Sequence, residues 1–433
     1  MRNKSIRKII LVILAIIFGL SPIIYNSFND NDSFRNLEYG NRYNVKRNGY
    51  GVLSSIIIDD DDPSINWMTT AATYDWCSGS GTWNDPYIIE NVVIDGQDSS
   101  NCLEIRDSIL YFIIRNCTFY NAGPFGKAGI LLYNVKNGIL INLNCSDNNY
   151  GILLDESENN TVSGNIAYDN WDGIKLRDSK NNTVSENIAN DNGDGIVLSG
   201  CENNIVSGNT ANNNFISGIN LFWDSSSNKV LENIVNHNSI GILLNAPFTW
   251  VNGELTRLYK CDNNIISGNI IKNNGDGMIL SNSNDNLVLG NNINNNTIGI
   301  SLDSANNNIL YLNNFINNDL NTESSNSTNK WNSLEKILYT HNSNNYTNYL
   351  GNYWDTYTGN DADTDGIGDT PFTIVGDMDN YPLMEPIDNY KIFKSSVETA
   401  EPAIPGFNLF FLTGIIGLVS IIFIKKLKKL NNN

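Results

Sequence analysis

Apolar and polar residues along this chain fall into a unit that keeps returning. Gly-Ile-x-Leu and its variants begin at Gly129, Gly151, Gly173, Gly195, Gly218, Gly241, Gly277 and Gly299, at intervals of 22, 22, 22, 23, 23, 36 and 22 residues. Self-similarity at a fixed period is the signature of a solenoid. Within a unit the apolar residues stand two apart, as in Ile152 and Leu154, Ile174 and Leu176, or Ile219 and Leu221. A period of two buries one face of a strand. A second apolar position follows at Val162, Val184, Val206, Val288 and Leu310, and no unit holds a helix-length amphipathic run. The pattern predicts an all-β fold, a right-handed single-stranded parallel β-helix with one coil per repeat.

The polar positions are equally periodic. Three residues after the second apolar position stand Asn165, Asn187, Asn209, Asn233, Asn269, Asn291 and Asn313, and five residues farther on Asn170, Asn192, Asn214, Asn238, Asn274, Asn296 and Asn318. Asparagine tolerates left-handed turns, and stacked one coil apart, about 4.8 Å, its amide can donate to one neighbour and accept from the other. Two asparagine ladders are expected.

The ends differ in character. Residues 1–25 carry a basic start and an apolar stretch, the pattern of a secretory signal peptide or signal anchor. Residues 26–70 read as a stalk or N-terminal extension, 71–128 as an N-terminal cap with irregular first coils, and 129–320 as regular repeats with an inserted loop at 245–260. Residues 321–390 read as C-terminal coils and cap, 391–405 as a linker, 406–424 as an apolar transmembrane or sorting helix, and 425–433 as a basic cytoplasmic tail. Pro405-Gly406-Phe407 ahead of that apolar stretch and its lysines resembles the PGF-type sorting signals of archaeal surface proteins. The expected location is the outer face of the cell membrane. Sequons at Asn31, Asn116, Asn144, Asn159, Asn181, Asn295, Asn326 and Asn345 suit a glycosylated surface protein.

Charge narrows the partners. The 433 residues include 27 basic and 46 acidic side chains, a formal net charge of -19, so the basic stripe that nucleic acid requires is missing. Two His and five Met offer no cluster for copper.

The stretch Gly-Ser-Gly-Thr-Trp-Asn-Asp-Pro-Tyr-Ile-Ile-Glu-Asn-Val-Val-Ile-Asp-Gly at 79–96, the Asn-Asn-Thr-Val-Ser-Gly-Asn unit at 159–165, and Gly-Asn-Tyr-Trp-Asp at 351–355 resemble the NosD-like branch of right-handed β-helix proteins, the carbohydrate-binding and sugar-hydrolysing (CASH) domains. The likeness spans about residues 70–390. It implies a β-helix and dealings with sugars. The branch is named after a periplasmic factor for copper insertion, but no ligand cluster in this chain receives that role.

Candidate chemistry lies in three places. Asp361, Asp363, Asp365, the Ile367 carbonyl and Asp369, with Gly366 at the turn, have the spacing of a structural Ca²⁺ loop, although Phe372 stands where an EF-hand has Glu. Asp155, Asp172, Arg177, Asp178 and Asp194 are weak catalytic candidates, because Asp172 and Asp194 obey the repeat as turn residues do. Phe222, Trp223, Phe248, Trp250 and Tyr259 are candidate contacts for sugar rings or a protein partner. Of six cysteines, Cys117 and Cys145 fall in nearly the same phase and are candidates to pair. The first reading is a surface protein that binds or scaffolds glycans or envelope partners. The alternatives are a polysaccharide lyase or glycoside hydrolase of this architecture and a NosD-like maturation factor. Convergence of the acids, with raised carboxyl pKa values, separates enzyme from binder.

Overall fold

The computed structural model describes residues 51–393, apart from 124, 248, 252–253 and 257–258. The described residues form two compact units, one of 51–229 with 233–239 and one of 230–232 with 240–393. Both are built from parallel β-coils. In the first, the long strands Leu103–Ser108, Ala128–Val135, Tyr150–Asp155, Asp172–Arg177, Asp194–Ser199 and Ser217–Phe222 pair in succession. The apolar positions two apart point inward, so Ile152, Ile174, Ile196 and Ile219 are fully buried. Shorter strands such as Thr161–Ser163 and Thr183–Ser185, or Ile166–Tyr168 and Ile188–Asn190, stack in two further sheets. The second unit repeats the plan with Ile240–Asn245, Asp276–Ser281, Ile298–Asp303 and Leu320–Ser325.

The repeat-phase glycines are required by close approach. A Cβ on Gly151, Gly173 or Gly195 would stand 2.4, 2.6 or 2.5 Å from the carbonyl oxygen of the following coil.

The asparagines stack as their spacing predicts. In the first unit Asn165, Asn187 and Asn209 each donate from backbone N and Nδ2 to Oδ1 of the next asparagine, ending at Asn233, over 2.9 Å. In the second, Asn269, Asn291 and Asn313 do the same. The other expected ladder runs through Asn170, Asn192 and Asn214. A third, which the sequence reading missed, links Asn160, Asn182, Asn204 and Asn228. Its signal was present, an Asn two residues before each second apolar position.

Several expectations change. Ile56–Asp59, in the stretch read as a stalk or N-terminal extension, pairs with Leu103–Ser108 as a coil strand. The α-helix Trp67–Thr73, capped by the Asn66 side chain, covers the end of the first unit's core, and Trp67 stacks on Tyr87 with ring centroids 5.1 Å apart. All six cysteines are buried and none forms a disulfide. Cys117 and Cys145 do not pair, because the register sets Cys145 against Phe119, two residues from Cys117. The expectation of a transmembrane helix is corrected: among the described residues no helix is long and apolar enough to cross a membrane. The segments 1–25, 406–424 and 425–433, and the sorting motif, lie outside the described residues.

Candidate functional site

The long-stranded sheet of the first unit carries charge on its outer side. Tyr150, Asp172, Asp194 and Ser217 are register partners on successive coils. Neighbouring strands lie about 4.8 Å apart, so Asp172 and Asp194 form a stacked carboxylate pair. Three residues along its own strand, Lys175 places Nζ 2.7 Å from Asp172 Oδ2 and 4.9 Å from the centre of the Tyr150 ring. Ser217 donates to Asp194 Oδ1 from its backbone N, at 3.0 Å, and from Oγ. Both carboxylates are buried. Burial pushes the Asp172 carboxyl above its ordinary range, against the pull of Lys175. Burial also raises Asp194, and the Asp172 charge adds to the effect while Ser217 opposes it.

On the next outward row Asp155 and Arg177 are register partners and form a two-pronged ion pair, with Arg177 Nε 2.7 Å from Asp155 Oδ1 and Nη2 on Oδ2. Asp178 is exposed at a left-handed turn (φ 48°) outside this cluster. Of the five catalytic candidates the structure therefore brings four onto one sheet face. Sequence reasoning underweighted Asp172 and Asp194 because they obey the repeat. Yet the same regularity stacks them on consecutive coils, and only packing shows that both are buried.

The aromatic candidates separate. Phe222 is the register partner of Ser199, in the row of Arg177, and its ring lies 4.7 Å from that of Trp223. Trp250 pairs with Leu255 in the antiparallel hairpin of Thr249–Val251 and Glu254–Thr256 in the second unit, Tyr259 is half-buried there, and Phe248 lies outside the described residues. Trp171, 60% exposed, and Phe215, 83% exposed, went unnoticed in the sequence.

The acidic loop closes on itself. Ligand oxygens of Asp361, Asp363 and Asp365 lie within 4.8 Å of one another. Asp361 accepts from the Gly366 N–H at 2.9 Å, Asp365 from Ile367 N and Asn348 Nδ2, and Asp369 from Ala362 N. The hydroxyls of Tyr346 and Tyr339 hold the carbonyls of Thr364 and Asp365. Burial, with Asp363 and Asp365 nearby, raises the Asp361 carboxyl. An all-oxygen set of this kind suits a hard cation and does not suit copper.

Residues 76–240 match the family described as right handed beta helix region, and residues 250–359 match the family described as periplasmic copper-binding protein (NosD). The fold is thus a right-handed, NosD-like parallel β-helix. No curated protein matches the chain. Among solved structures it is similar to the A-module of the Azotobacter vinelandii mannuronan C-5 epimerase AlgE6, at 15% identity over 56% of this chain and 73% of that one, with a TM-score of 0.39. The periplasmic alginate epimerase AlgG is similar at 14% identity over 63% of this chain and 72% of that one, with a TM-score of 0.37. The Dettilon tailspike protein is similar at 15% identity over 52% and 55%, with a TM-score of 0.39. Likenesses this distant say nothing about chemistry.

Proposed function

We propose that this protein is a carbohydrate-active enzyme that cleaves glycosidic bonds on the outer face of its long-stranded sheet. The observation carrying this reading is the stacked pair Asp172 and Asp194, both buried, both raised, with Lys175 as counter-charge. Acid–base cleavage of a glycosidic bond needs one carboxyl that keeps its proton and one that gives it up. Asp194, raised by burial and by its neighbour's charge, is the proton donor to the leaving oxygen. Asp172, paired with Lys175, is the carboxylate facing the positive charge that develops at the sugar. Arg177 and Asp155 border the site as a fixed polar rail. The basic and then apolar start of the chain supports action outside the cytoplasm.

The full chain incubated with a panel of polysaccharides should release new reducing ends. Asp194→Asn should lower the rate about a hundredfold, within the range set by loss of a general acid. The high-pH limb of the wild-type profile follows Asp194 losing its proton. Asp172→Asn removes one of the charges that raise Asp194, so what activity remains should fall off at lower pH than in the wild type. Glycan binding with no cleavage of any panel member would reinstate the binding or scaffold reading.

We also propose that the loop at 361–369 takes Ca²⁺, on the support of its three converging carboxylates and the raised Asp361. An ion held only by the folded state stabilises it by mass action, by about 2.7 kcal/mol at a hundred times its Kd. The melting temperature should rise with millimolar Ca²⁺ over chelator, and Asp365→Ala should remove the rise. Coincident melting curves would rule the ion out.

A further inference from the structure

Resting on the cleavage reading, the geometry points to a specific substrate shape: we propose that Trp171 and Phe215 form a two-step stacking rail for a neutral β-1,4-linked glycan lying along the coil axis. The residues at this turn succeed one another through backbone bonds. Trp171 N donates to Asn148 O, Gly193 N to Asn170 O, and Phe215 N to Asn192 O, which places Trp171, Gly193 and Phe215 on three consecutive coils at one position. The outer two are strongly exposed rings, and the middle one has no side chain. The two rings are therefore two coils, or about 10 Å, apart with a gap between them.

That spacing selects a linkage. In a β-1,4 chain of equatorially linked pyranoses each ring is turned over relative to the last, so alternate rings offer the same face. One ring stacks on Trp171, the next crosses Gly193, and the third stacks on Phe215. An α-1,4 glucan coils away and cannot meet both rings. Aromatic faces favour the C–H faces of such sugars. The rail adjoins the acids in sequence and register, since Trp171 precedes Asp172, and Asp194 N donates to Trp171 O at 2.9 Å. A bond between the first two rings thus lies beside Asp172 and Asp194.

Charge selects against uronates. The face presents Asp155, Asp172 and Asp194 against Lys175 and Arg177, and both bases are already engaged by Asp172 and Asp155. Neither of these two bases is free to neutralise a polyuronate beside the acids, and neutral hydroxyls pair with this face without a charge penalty.

The test measures binding to the full-length Asp194→Asn protein, so that ligand survives, by titration with cellohexaose, xylohexaose, mannohexaose, maltohexaose and a galacturonate hexamer. At least one β-1,4 neutral hexamer should bind more tightly than maltohexaose and the galacturonate. Trp171→Ala and Phe215→Ala should each weaken it about tenfold, the size of one stacking contact, and Trp83→Ala, which removes an exposed ring in the turn before Tyr87–Glu90, should leave it unchanged. Both rail side chains project into solvent, so these variants keep the fold. Equal affinity in the rail variants, preference for maltohexaose or galacturonate, or no binding of any neutral β-1,4 hexamer would overturn the rail. The two readings fail separately. Wild-type cleavage untouched by the rail substitutions sinks the rail and leaves the catalytic pair standing. Rail-dependent binding with no wild-type cleavage does the reverse.

Discussion

Asp379→Ala is expected to lower the stability of the folded protein by about 3 to 5 kcal/mol, because it strips the acceptor from several buried donors at once. Asp379 is fully buried at the end of the second unit's asparagine ladder. Asn313 donates to Asn352 Oδ1, and Asn352 donates to Asp379 Oδ2 from its backbone N at 2.7 Å. Trp354 Nε1 reaches the same oxygen at 3.0 Å, and Tyr381 N donates to Oδ1 at 3.0 Å. The carboxylate is thus the terminal acceptor of a chain of amides that all donate in one direction. Asp379→Asn retains one oxygen for the Asn352 and Trp354 donors but turns an NH₂ toward Tyr381, so it should cost less than Asp379→Ala. The measurement is the urea midpoint at pH 7, and a loss under 1 kcal/mol in Asp379→Ala would remove the carboxylate's role as terminus.

The same group sets a pH dependence of definite sign. Burial pushes the Asp379 carboxyl up to about 6, against the N–H donors that lower it. Its folded value lies above its unfolded one, so the folded state binds the extra proton between about pH 4 and 6. Stability from this group is complete below about pH 4 and is lost as pH rises through about 6. The net charge of -19 adds self-repulsion of the same sign. The wild-type curve minus the Asp379→Asn curve isolates the single carboxyl, and that difference should fall as pH rises across this window.

Asn209→Ala should be nearly as costly, by about 3 kcal/mol. Asn209 is fully buried, and its Oδ1 accepts both the backbone N and Nδ2 of Asn187 at 2.9 Å. Its Nδ2 donates to Val184 O and Asn233 Oδ1, both at 2.9 Å. Truncation leaves the backbone N–H and amide of Asn187 without their acceptor and takes one donor each from Val184 O and Asn233 Oδ1. Asn209→Leu should do no better, since an apolar branch makes no axial bonds. Asn212→Ala is the control: its Oδ1 is buried without a partner, so removing it should change the urea midpoint little or raise it. Equal effects at Asn209 and Asn212 would show that the ladder contributes nothing particular.

The site was only partly readable. Asp155, Asp172, Arg177 and Asp194 were named from exposure expected on a coil face, yet their ranking depended on burial and ion pairing between coils. The spacing of Trp171 and Phe215 escaped notice because Gly195 to Gly218 is 23 residues while Asn192 to Asn214 is 22, so an alignment on the glycines sets Trp171 two residues and Phe215 three residues before its glycine. The register of the cysteines shows the same limit. A shift of two residues, invisible in a count by period, separates Cys117 from Cys145.

What the sequence determined by itself was everything the repeat enforces. A period of 22 with apolar residues two apart admits one register, since a slip of one residue would turn every inward side chain outward. That register fixes the strands, the glycine approaches and the asparagine ladders together. What only the tertiary structure decided was whatever breaks the repeat or depends on depth: the helix Trp67–Thr73 over one end of the core, the carboxylate of Asp379 at the end of a ladder, and the burial that raises Asp172 and Asp194. Periodicity states which residues share a face. The free energy of a charge depends instead on how much water and how many partners reach it, and those are set by side chains from other coils and from the caps.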